Sequence, residues 1–349
     1  MKKLVFAALA IGAMAACTKS SVQYEQPGEI CLQPVAQKAT KAAVDGTVYP
    51  TSENFNVWAN WGNIGAGTVS ATNFTTAYIN NGTFTNRGGN NWGGTPSPYY
   101  WPTTGSLIFA GYSPASPKGG NPTFEYNFSD NQFKVTGYIQ STDIRNTDDL
   151  MWFDFDGKSY NMNVTSSDGE GNTVTTGIPA KFQHALSWLT FQFKLKDEST
   201  PENWTITGIT LQGIKTKGDF DSKPASGSDQ WVLSSDTGFT EQNITVYGGE
   251  GVKITRNTTV TPENVQNGVV VIPQSCAADA VSLLVTYKLT TQAQTEVPQE
   301  VQLYLSEVAD QKWEVGKHYI YTIIFGANEI LISPDVTDWT PVNVDVNVQ

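Results

Sequence analysis

The sequence predicts an all-β protein built of two β-sandwich domains. In "LTFQFKLK", Leu189 to Lys196, apolar and polar residues alternate strictly, as in a half-buried antiparallel strand. Similar segments follow one another at short spacing, with Gly-, Pro- and Asn-rich turns between them and no long amphipathic helix pattern. The chain has 349 residues, which is more than one hydrophobic core usually supports, so two domains are expected.

The first element is an export signal. Residues 1–16 begin with Lys2 and Lys3 and continue with the apolar run "LVFAALAIGAMAA", which is shorter than the ~20 residues that a membrane span needs. Cys17 follows the small residues at the end of this run and resembles the cysteine of a bacterial lipoprotein signal, which receives a diacylglycerol. The alternative is ordinary secretion with an incidental cysteine.

The N-terminal domain is predicted over residues 29–178, after a polar tether at residues 17–28. Ile30, Leu32 and Val35 indicate a short first strand, and Pro34 suggests that it lies at a sheet edge. Further strands are predicted in "FNVWANW", where Phe55, Val57, Ala59 and Trp61 alternate, and in "LIFAGYSP" and "QFKVTGYI". The polar, Gly-rich stretch "SSDGEGNTVTTGIP", Ser166 to Pro179, is the expected domain boundary.

The C-terminal domain is predicted over residues 179–349. The phase of alternation in "WTITGITLQGI" slips at Gly208, which indicates a β-bulge. The segments "VSLLVTYKL", "VQLYLS" and "HYIYTIIF" also alternate. In the tail, residues 340–349, Val342, Val344, Val346 and Val348 form one apolar edge opposite a polar one. This tail is either the last strand of its own domain or a strand that enters a neighbouring molecule.

Composition excludes several classes of function. The chain has 21 basic and 33 acidic residues and a formal net charge of −12, which argues against nucleic acid as a partner. His184 and His318 are far apart in sequence and lack the Cys/His spacing of a metal site, so neither a metal nor a cofactor is expected. If Cys17 is lipidated, Cys31 and Cys276 remain, and they could form one disulfide.

No catalytic constellation stands out. The segment "DDLMWFDFDG" contains four carboxylates, Asp148, Asp149, Asp154 and Asp156. They suggest glycoside hydrolysis or calcium binding. The calcium loop lacks its third ligand, however, and a strand that ends in a turn is the favoured interpretation. His184 and Ser187 have neither the spacing nor the surrounding motif of a nucleophile and its base. A cluster of aromatic residues suggests sugar binding or, more simply, packing; it comprises Trp92, Tyr99, Tyr100 and Trp101.

The order of short motifs resembles the fimbrillin family of Bacteroides-type bacteria, the subunits of type V pili. The motifs are the cysteine signal at Cys17, "ATKAA" around Lys41, "FNVWANW", "YYWPTTGSLIFAGYSP", "PAKFQHALSWLTFQF", "KWEVGKHYIYTIIF" and "VTDWTPVNVDVNV". The resemblance implies two tandem transthyretin-like Greek-key β-sandwich domains. It also implies a structural subunit and not an enzyme, first anchored by lipid to the outer membrane and then part of an extracellular fimbrium.

The resemblance further implies a maturation and assembly pathway. A protease would cut beside Lys41, with Lys38 as the alternative, and remove the first strand, within residues 29–41. A C-terminal strand of the next subunit would fill the vacated groove, with Val342, Val344, Val346 and Val348 as its apolar edge. The implied partners are other pilin subunits in a homopolymer or among minor subunits, the lipoprotein export machinery, the maturation protease and a host or bacterial surface ligand. The alternative is a surface lipoprotein that binds glycans.

Overall fold

The computed structural model describes residues 28–35, 39–40, 43–44, 49–88, 91–167, 173–175, 177–198, 200–262, 268–277, 280–290, 296–307, 312–326 and 329–339. Cys17, Lys38, Lys41, Val342, Val344, Val346 and Val348 lie outside these residues. The described part of the chain is nearly all β, which confirms the predicted class. Its helices are three short 3-10 segments, Ala71–Asn73, Ile144–Asn146 and Leu305–Glu307, and none of its helices has the length and hydropathy of a membrane span.

The strands of the N-terminal half end at residue 184. They are β1 Cys31–Val35, β2 Ala39–Thr40, β3 Ala43–Val44, β4 Phe55–Gly62, β5 Gly67–Thr68, β6 Thr76–Gly88, β7 Asn91–Thr95, β8 Ser106–Ser113, β9 Thr123–Asn127, β10 Gln132–Ile139, β11 Met151–Phe153, β12 Lys158–Ser159, β13 Thr165–Ser167, β14 Thr173–Thr175, β15 Ile178–Lys181 and β16 Gln183–His184.

The remaining strands follow in the C-terminal half. They are β17 Ser187–Leu195, β18 Trp204–Ile214, β19 Lys217–Asp221, β20 Trp231–Leu233, β21 Gln242–Lys253, β22 Val269–Val271, β23 Ser282–Thr290, β24 Glu296–Tyr304, β25 Lys317–Phe325 and β26 Ile330–Asp338. Within the described residues, each segment whose alternation predicted a strand is a strand in the structure; the tail, residues 340–349, lies outside them.

An eight-stranded sheet organises the N-terminal half, in the order β15-β1-β7-β6-β4-β8-β11-β16. Its central strands are buried on both faces. Along β8, Leu107 and Phe109 belong to one hydrophobic cluster, whereas Ile108 and Ala110 belong to another. The sheet therefore separates two cores, and its middle strands are continuously apolar for that reason.

The same sheet nearly closes on itself. Its two outer strands, β15 and β16, are consecutive in the chain and only Phe182 separates them. Since successive Cα atoms are about 3.8 Å apart, the two ends of the row must lie close together. β15 pairs with β1 and β16 pairs with β11, so one continuous stretch, residues 178–184, joins the ends of the sheet.

A second, four-stranded sheet packs against the first, in the order β20-β19-β10-β9. Its members come from both sides of the expected boundary at residues 178 and 179: β9 and β10 precede that boundary, and the β19–β20 hairpin follows it. Aromatic rings fill the space between the sheets, and Phe133 stacks on Trp152 with ring centroids 6.3 Å apart. Strands from both sides of the boundary thus share two sheets.

Two four-stranded sheets form the C-terminal half, β22-β17-β25-β26 and β21-β18-β23-β24. β17 alternates as its sequence predicts: Leu189, Phe191 and Phe193 are fully buried, and Lys194 is exposed. The pairing of β18 with β21 and with β23 shifts register between Ile206 and Gly208, which confirms the predicted bulge. The other sheets are the small pairs β12-β5, β13-β14 and β2-β3.

Candidate functional site

The first strand, β1, lies inside the eight-stranded sheet. It runs parallel to β15, with Leu32 opposite Ile178, and antiparallel to β7, with Leu32 opposite Trp92. β7 pairs only with the first two residues of β1, so Pro34 has a partner strand on the β15 side alone. The sequence-based expectation of an edge at Pro34 is therefore right for that residue, because proline cannot donate to a second ladder, and wrong for Leu32.

The apolar side chains of β1 complete the core on one face of the sheet. Ile30 and Leu32 are both fully buried, in a cluster with Trp92, Trp101 and Ile178. Full burial of two such side chains contributes about 3–6 kcal/mol at roughly 1.5–3 kcal/mol each. Gln33, whose side chain alternates to the other face, is half-buried. β1 is thus a structural part of the sheet.

Backbone and side-chain hydrogen bonds hold the entry to β1. The amide of Ile30 donates to the carbonyl of Tyr99 at 2.7 Å, and the amide of Trp101 donates to the carbonyl of Gly28 at 3.1 Å. The Asn163 side chain bonds to the two peptide units that flank Ile30: its Oδ1 accepts from the amide of Cys31 at 3.0 Å, and its Nδ2 donates to the carbonyl of Glu29 at 2.8 Å. This pattern recognises backbone and not side chains, so another strand can satisfy it.

Two glycines allow the flanking chain to approach β1 closely. A Cβ atom at Gly177 would lie 2.8 Å from the carbonyl oxygen of Cys31, and Gly177 has a φ of +86°, which favours glycine. A Cβ atom at Gly93 would lie 2.4 Å from Oε1 of Glu29. On the β15 side, the groove that holds β1 is therefore shaped by a glycine next to its backbone, whereas Gly93 on β7 leaves room for the Glu29 side chain.

The charged and titratable groups beside β1 have modest roles. Arg87 Nη2 lies 3.6 Å from Oε1 of Glu29, and because both side chains are partly exposed this ion pair adds little stability. Burial, with a smaller contribution from the Glu29 charge, raises the pKa of the Cys31 thiol. Within the described ranges, no group of three or more His, Cys, Asp or Glu side chains is positioned to hold a metal ion. Together, these groups are suited to hold β1 in the sheet.

The two cysteines that could form a disulfide are free and buried in the structure. Cys31 lies on β1, whereas Cys276 belongs to the core of the C-terminal half. Burial raises the pKa of Cys276 to about 12. The two thiols are therefore unpaired in this conformation, and β1 has no covalent tie to the later chain through them.

The carboxylates considered for catalysis each have a separate partner. Nδ1 of the buried His184 lies 3.0 Å from Asp149, and Ser187 Oγ donates instead to the carbonyl of Glu314 at 2.7 Å. Histidine and serine thus do not form a pair. The other contacts are Asp148 with Lys118 Nζ at 3.5 Å, Asp154 with Trp152 Nε1 at 3.2 Å and Asp156 with the Tyr160 hydroxyl at 2.9 Å.

The aromatic cluster considered for sugar binding is mostly core. Trp92 is fully buried and Trp101 is 5% exposed, and both pack in the cluster that contains β1. Tyr99 stacks on Phe84 with ring centroids 5.9 Å apart, and only Tyr100 is well exposed, at 45%. The packing interpretation of these residues is therefore right, and they present no aromatic platform to solvent.

The last described residue, Trp339, is anchored at the far end of the same sheet. Its ring stacks on His184 of β16 with centroids 3.6 Å apart and an interplanar angle of 9°. Its amide donates to the carbonyl of Gly316 at 2.8 Å. The tail, residues 340–349, therefore starts from a buried side chain that contacts a strand of the N-terminal sheet.

Sequence reasoning did not find the residues that shape the groove. Asn163 lies in a polar stretch whose sequence reads only as a loop, and it contacts residues more than 130 positions earlier. Gly177 lies within the predicted domain boundary, residues 166–179, and Gly93 lies in a Gly- and Asn-rich stretch that local pattern does not assign to a groove. Their roles depend on long-range pairing, which local patterns do not encode.

The fold and the groove define an all-β protein whose first strand completes a sheet made by later strands. The sequence profile of the Fimbrillin-like family matches residues 40–339, so the chain belongs to this family. β1 precedes the matched range.

Solved structures show the same fold. The structure of a fimbrial protein from Bacteroides vulgatus ATCC 8482 has a TM-score of 0.53 and 15% sequence identity, over 89% of this chain and 99% of that chain. The structure of a candidate cell adhesion protein from Bacteroides uniformis ATCC 8492 has a TM-score of 0.52 and 14% identity, with the same coverage of 89% and 99%. No curated protein is significantly similar in sequence.

Proposed function

We propose that this protein is a non-enzymatic pilin that polymerises by exchanging β1 for the C-terminal tail of a neighbouring subunit. The observation that carries the proposal is the position of β1. It is the first described strand of the chain, yet it lies between β15 and β7 and fills the core beneath them. One cut after β1 would release it without dividing the rest of the sheet.

The cost of losing β1 supports the idea of a replacement strand. Without β1, the nearly closed sheet would have two unpaired edges, on β7 and β15, and the cluster around Trp92 and Ile178 would be open to water. Unpaired edges and exposed apolar surface favour pairing with another chain. The vacated groove is therefore an acceptor for a strand with a matching apolar edge.

The tail has the pattern that such an acceptor needs. At the start of the described chain, Ile30, Leu32 and Pro34 are buried at every second position, and Cys31 between the first two is buried as well. Val342, Val344, Val346 and Val348 recur with the same period. Burial of four valines would contribute roughly 6 kcal/mol at about 1.5 kcal/mol each, and backbone pairing would add about 1 kcal/mol per hydrogen bond. Ordering the tail and joining two subunits would offset part of this.

Export and maturation complete the proposal. Cys17 would carry the lipid that holds the precursor at the outer membrane, and cleavage beside Lys41, or alternatively Lys38, would free the part of the chain that contains β1. The subunit would then enter an extracellular fimbrium and serve adhesion, with other pilins and a surface ligand as partners. Membership of the Fimbrillin-like family supports this pathway.

Electron microscopy of protease-treated protein tests the assembly step. The purified precursor is incubated with a trypsin-like protease, and its new N-terminus is sequenced to distinguish Lys41 from Lys38. Filaments are expected from the wild-type chain. Val344→Asp, Val346→Asp or deletion of residues 340–349 should give a folded, cleaved monomer, because a charge in an apolar groove costs several kcal/mol.

Asn343→Asp is the matched control, since it adds the same charge on the polar edge of the tail and should still polymerise. Normal filaments from the deletion variant would refute the donor-strand role. Unfolding of the C-terminal half by Val344→Asp would instead make the tail an ordinary core strand. Lipidation is tested separately by labelled palmitate, which should enter the wild-type protein but not Cys17→Ala.

A further inference from the structure

A cleft of about 710 Å³ opens between the two sheets of the N-terminal half. One wall consists of β4 and β6, and the other consists of β9 and β10. This volume lies within the range of about 300–1,000 Å³ that is usual for small-molecule sites. The cleft is on the opposite face of the eight-stranded sheet from Ile30 and Leu32, because its Trp58, Phe74 and Phe128 belong to the other hydrophobic cluster. It is therefore distinct from the β1 groove.

The floor of the cleft is aromatic and fixed in place. Tyr126 stacks on Trp58 with ring centroids 6.0 Å apart and an interplanar angle of 24°. Phe128 meets the edge of Tyr126 at 4.9 Å, and Phe124 stacks on Tyr112 at 3.9 Å. Phe124 and Tyr126 are only half-buried, so the floor offers ring surface to a ligand. Such surfaces bind the apolar C–H faces of ring-shaped molecules.

The position of Tyr126 is set by its hydroxyl group. The hydroxyl accepts a hydrogen bond from the amide of Phe155 at 3.0 Å and donates one to Oδ1 of Asn131. The β9–β10 turn, which contains Asn131, and the segment after β11, which contains Phe155, thus hold this ring before any ligand arrives. A preformed ring loses little conformational freedom on binding, which favours affinity.

The rim of the cleft is polar but nearly neutral. Asn60 uses its Nδ2 to donate to the carbonyl of Phe74 at 2.9 Å, which leaves the amide oxygen as an acceptor. Asn80 lines the cleft with an exposed side chain, whereas the side chain of Glu125, next to Tyr126 on β9, points to the other face of its strand. Lys134 is the one basic residue of the lining, and its Nζ lies 3.6 Å from Asp221. Amide groups are suited to bind hydroxyl groups, and the lone, paired cation argues against a polyanionic ligand.

We propose that this cleft binds a neutral oligosaccharide, with a sugar ring over Tyr126 and Phe124 and its hydroxyl groups on Asn60 and Asn80. The proposal does not depend on polymerisation, because the cleft is formed by strands of one chain and lies away from β1. It concerns a different set of aromatic residues from Trp92 and Trp101, which are buried.

Isothermal titration calorimetry with the full chain tests the proposal. The probes are maltotriose, cellotriose, mannotriose and chitotriose, with sialyllactose as the charged comparison. Binding of at least one neutral probe below about 10 mM is expected. Ala77→Trp should weaken that binding at least about tenfold, equivalent to about 1.4 kcal/mol, because it places a large ring in the cleft from an exposed position of β6.

Thr76→Trp is the matched control: it adds the same ring at the next position, whose side chain points to the other face of the strand, and affinity should stay within about twofold. Asn80→Ala is a second variant at an exposed site and should weaken binding about three- to tenfold. Binding of sialyllactose alone, no binding of any neutral probe, or equal binding by the two Trp variants would overturn the proposal. Loss of self-association in Ala77→Trp without any sugar binding would instead make the cleft a subunit interface.

Discussion

Leu32→Ala should destabilise the precursor strongly and leave the matured protein unchanged. Leu32 is 0% exposed and lies between Ile178 and Trp92 on the two neighbouring strands. Replacement of a fully buried leucine by alanine costs about 2–5 kcal/mol, and strands on both sides limit how far this site can collapse. We therefore expect a loss of about 3 kcal/mol, which lowers the midpoint of thermal unfolding by roughly 6–12 °C.

The assay is thermal unfolding followed by circular dichroism, before and after cleavage by a trypsin-like protease. Gln33→Ala is the control, because it truncates the neighbouring residue on the other face of the same strand, where only a half-buried side chain is lost. Gln33→Ala should lower the free energy of unfolding by no more than about 0.5 kcal/mol, so its unfolding midpoint should change little. After cleavage and release of β1, wild type and both variants have the same sequence and should unfold at the same temperature.

Two results would refute this reasoning. If Leu32→Ala and Gln33→Ala lower the precursor midpoint equally, the packing of β1 does not stabilise the sheet. If the Leu32→Ala difference persists after complete cleavage, the strand has stayed in its groove and the proposed exchange does not follow from proteolysis alone.

Three further predictions concern the groove and the end of the chain. Gly177→Ala should lower the free energy of unfolding of the precursor by at least about 1 kcal/mol in urea titrations. The reason is that residue 177 has a φ of +86° and that a Cβ atom there would approach the Cys31 carbonyl. An unchanged midpoint would show that this loop relaxes freely. Maleimide at pH 8 should label neither Cys31 nor Cys276 of the folded precursor, because burial raises the pKa of both thiols and keeps them protonated. Cleavage should expose Cys31 on the released peptide while Cys276 stays protected, and fast labelling of Cys276 in the native protein would contradict this. Trp339→Ala should lower the free energy of unfolding by about 3–5 kcal/mol, as measured by thermal unfolding, because the ring is 3% exposed and stacks on His184. A loss below about 1 kcal/mol would mean that the stack is dispensable.

Local pattern was enough to predict nine of the 26 described strands, those whose sequences alternate most clearly. The alternation of Leu189, Phe191 and Phe193 predicts which face of β17 is buried, and the slip at Gly208 predicts the bulge. These features depend on residues that are close in sequence, and the period of two is a direct consequence of strand geometry.

Pairing between distant strands was not predictable in the same way. Phe220 is the one large apolar residue of β19, and no local pattern in the sequence shows that this strand joins β10 from the first half of the chain. Likewise, the position of β1 between β7 and β15 depends on Gly177 and Asn163, each more than 100 residues later in the sequence. The groove could therefore be expected only through the family resemblance, and its shape only from the structure.

The stack of Trp339 on His184 also has a mechanical consequence. A pulling force on the tail reaches Trp339 before any other described residue, because residue 340 follows it directly. The force is then shared between the β25–β26 ladder and the aromatic stack, and the stack passes it to β16, whose His184 is held by Asp149. Tension applied at the C-terminus is thus carried into the eight-stranded sheet that contains β1, and the resistance of one subunit to stretching depends on a contact between the two halves of its chain.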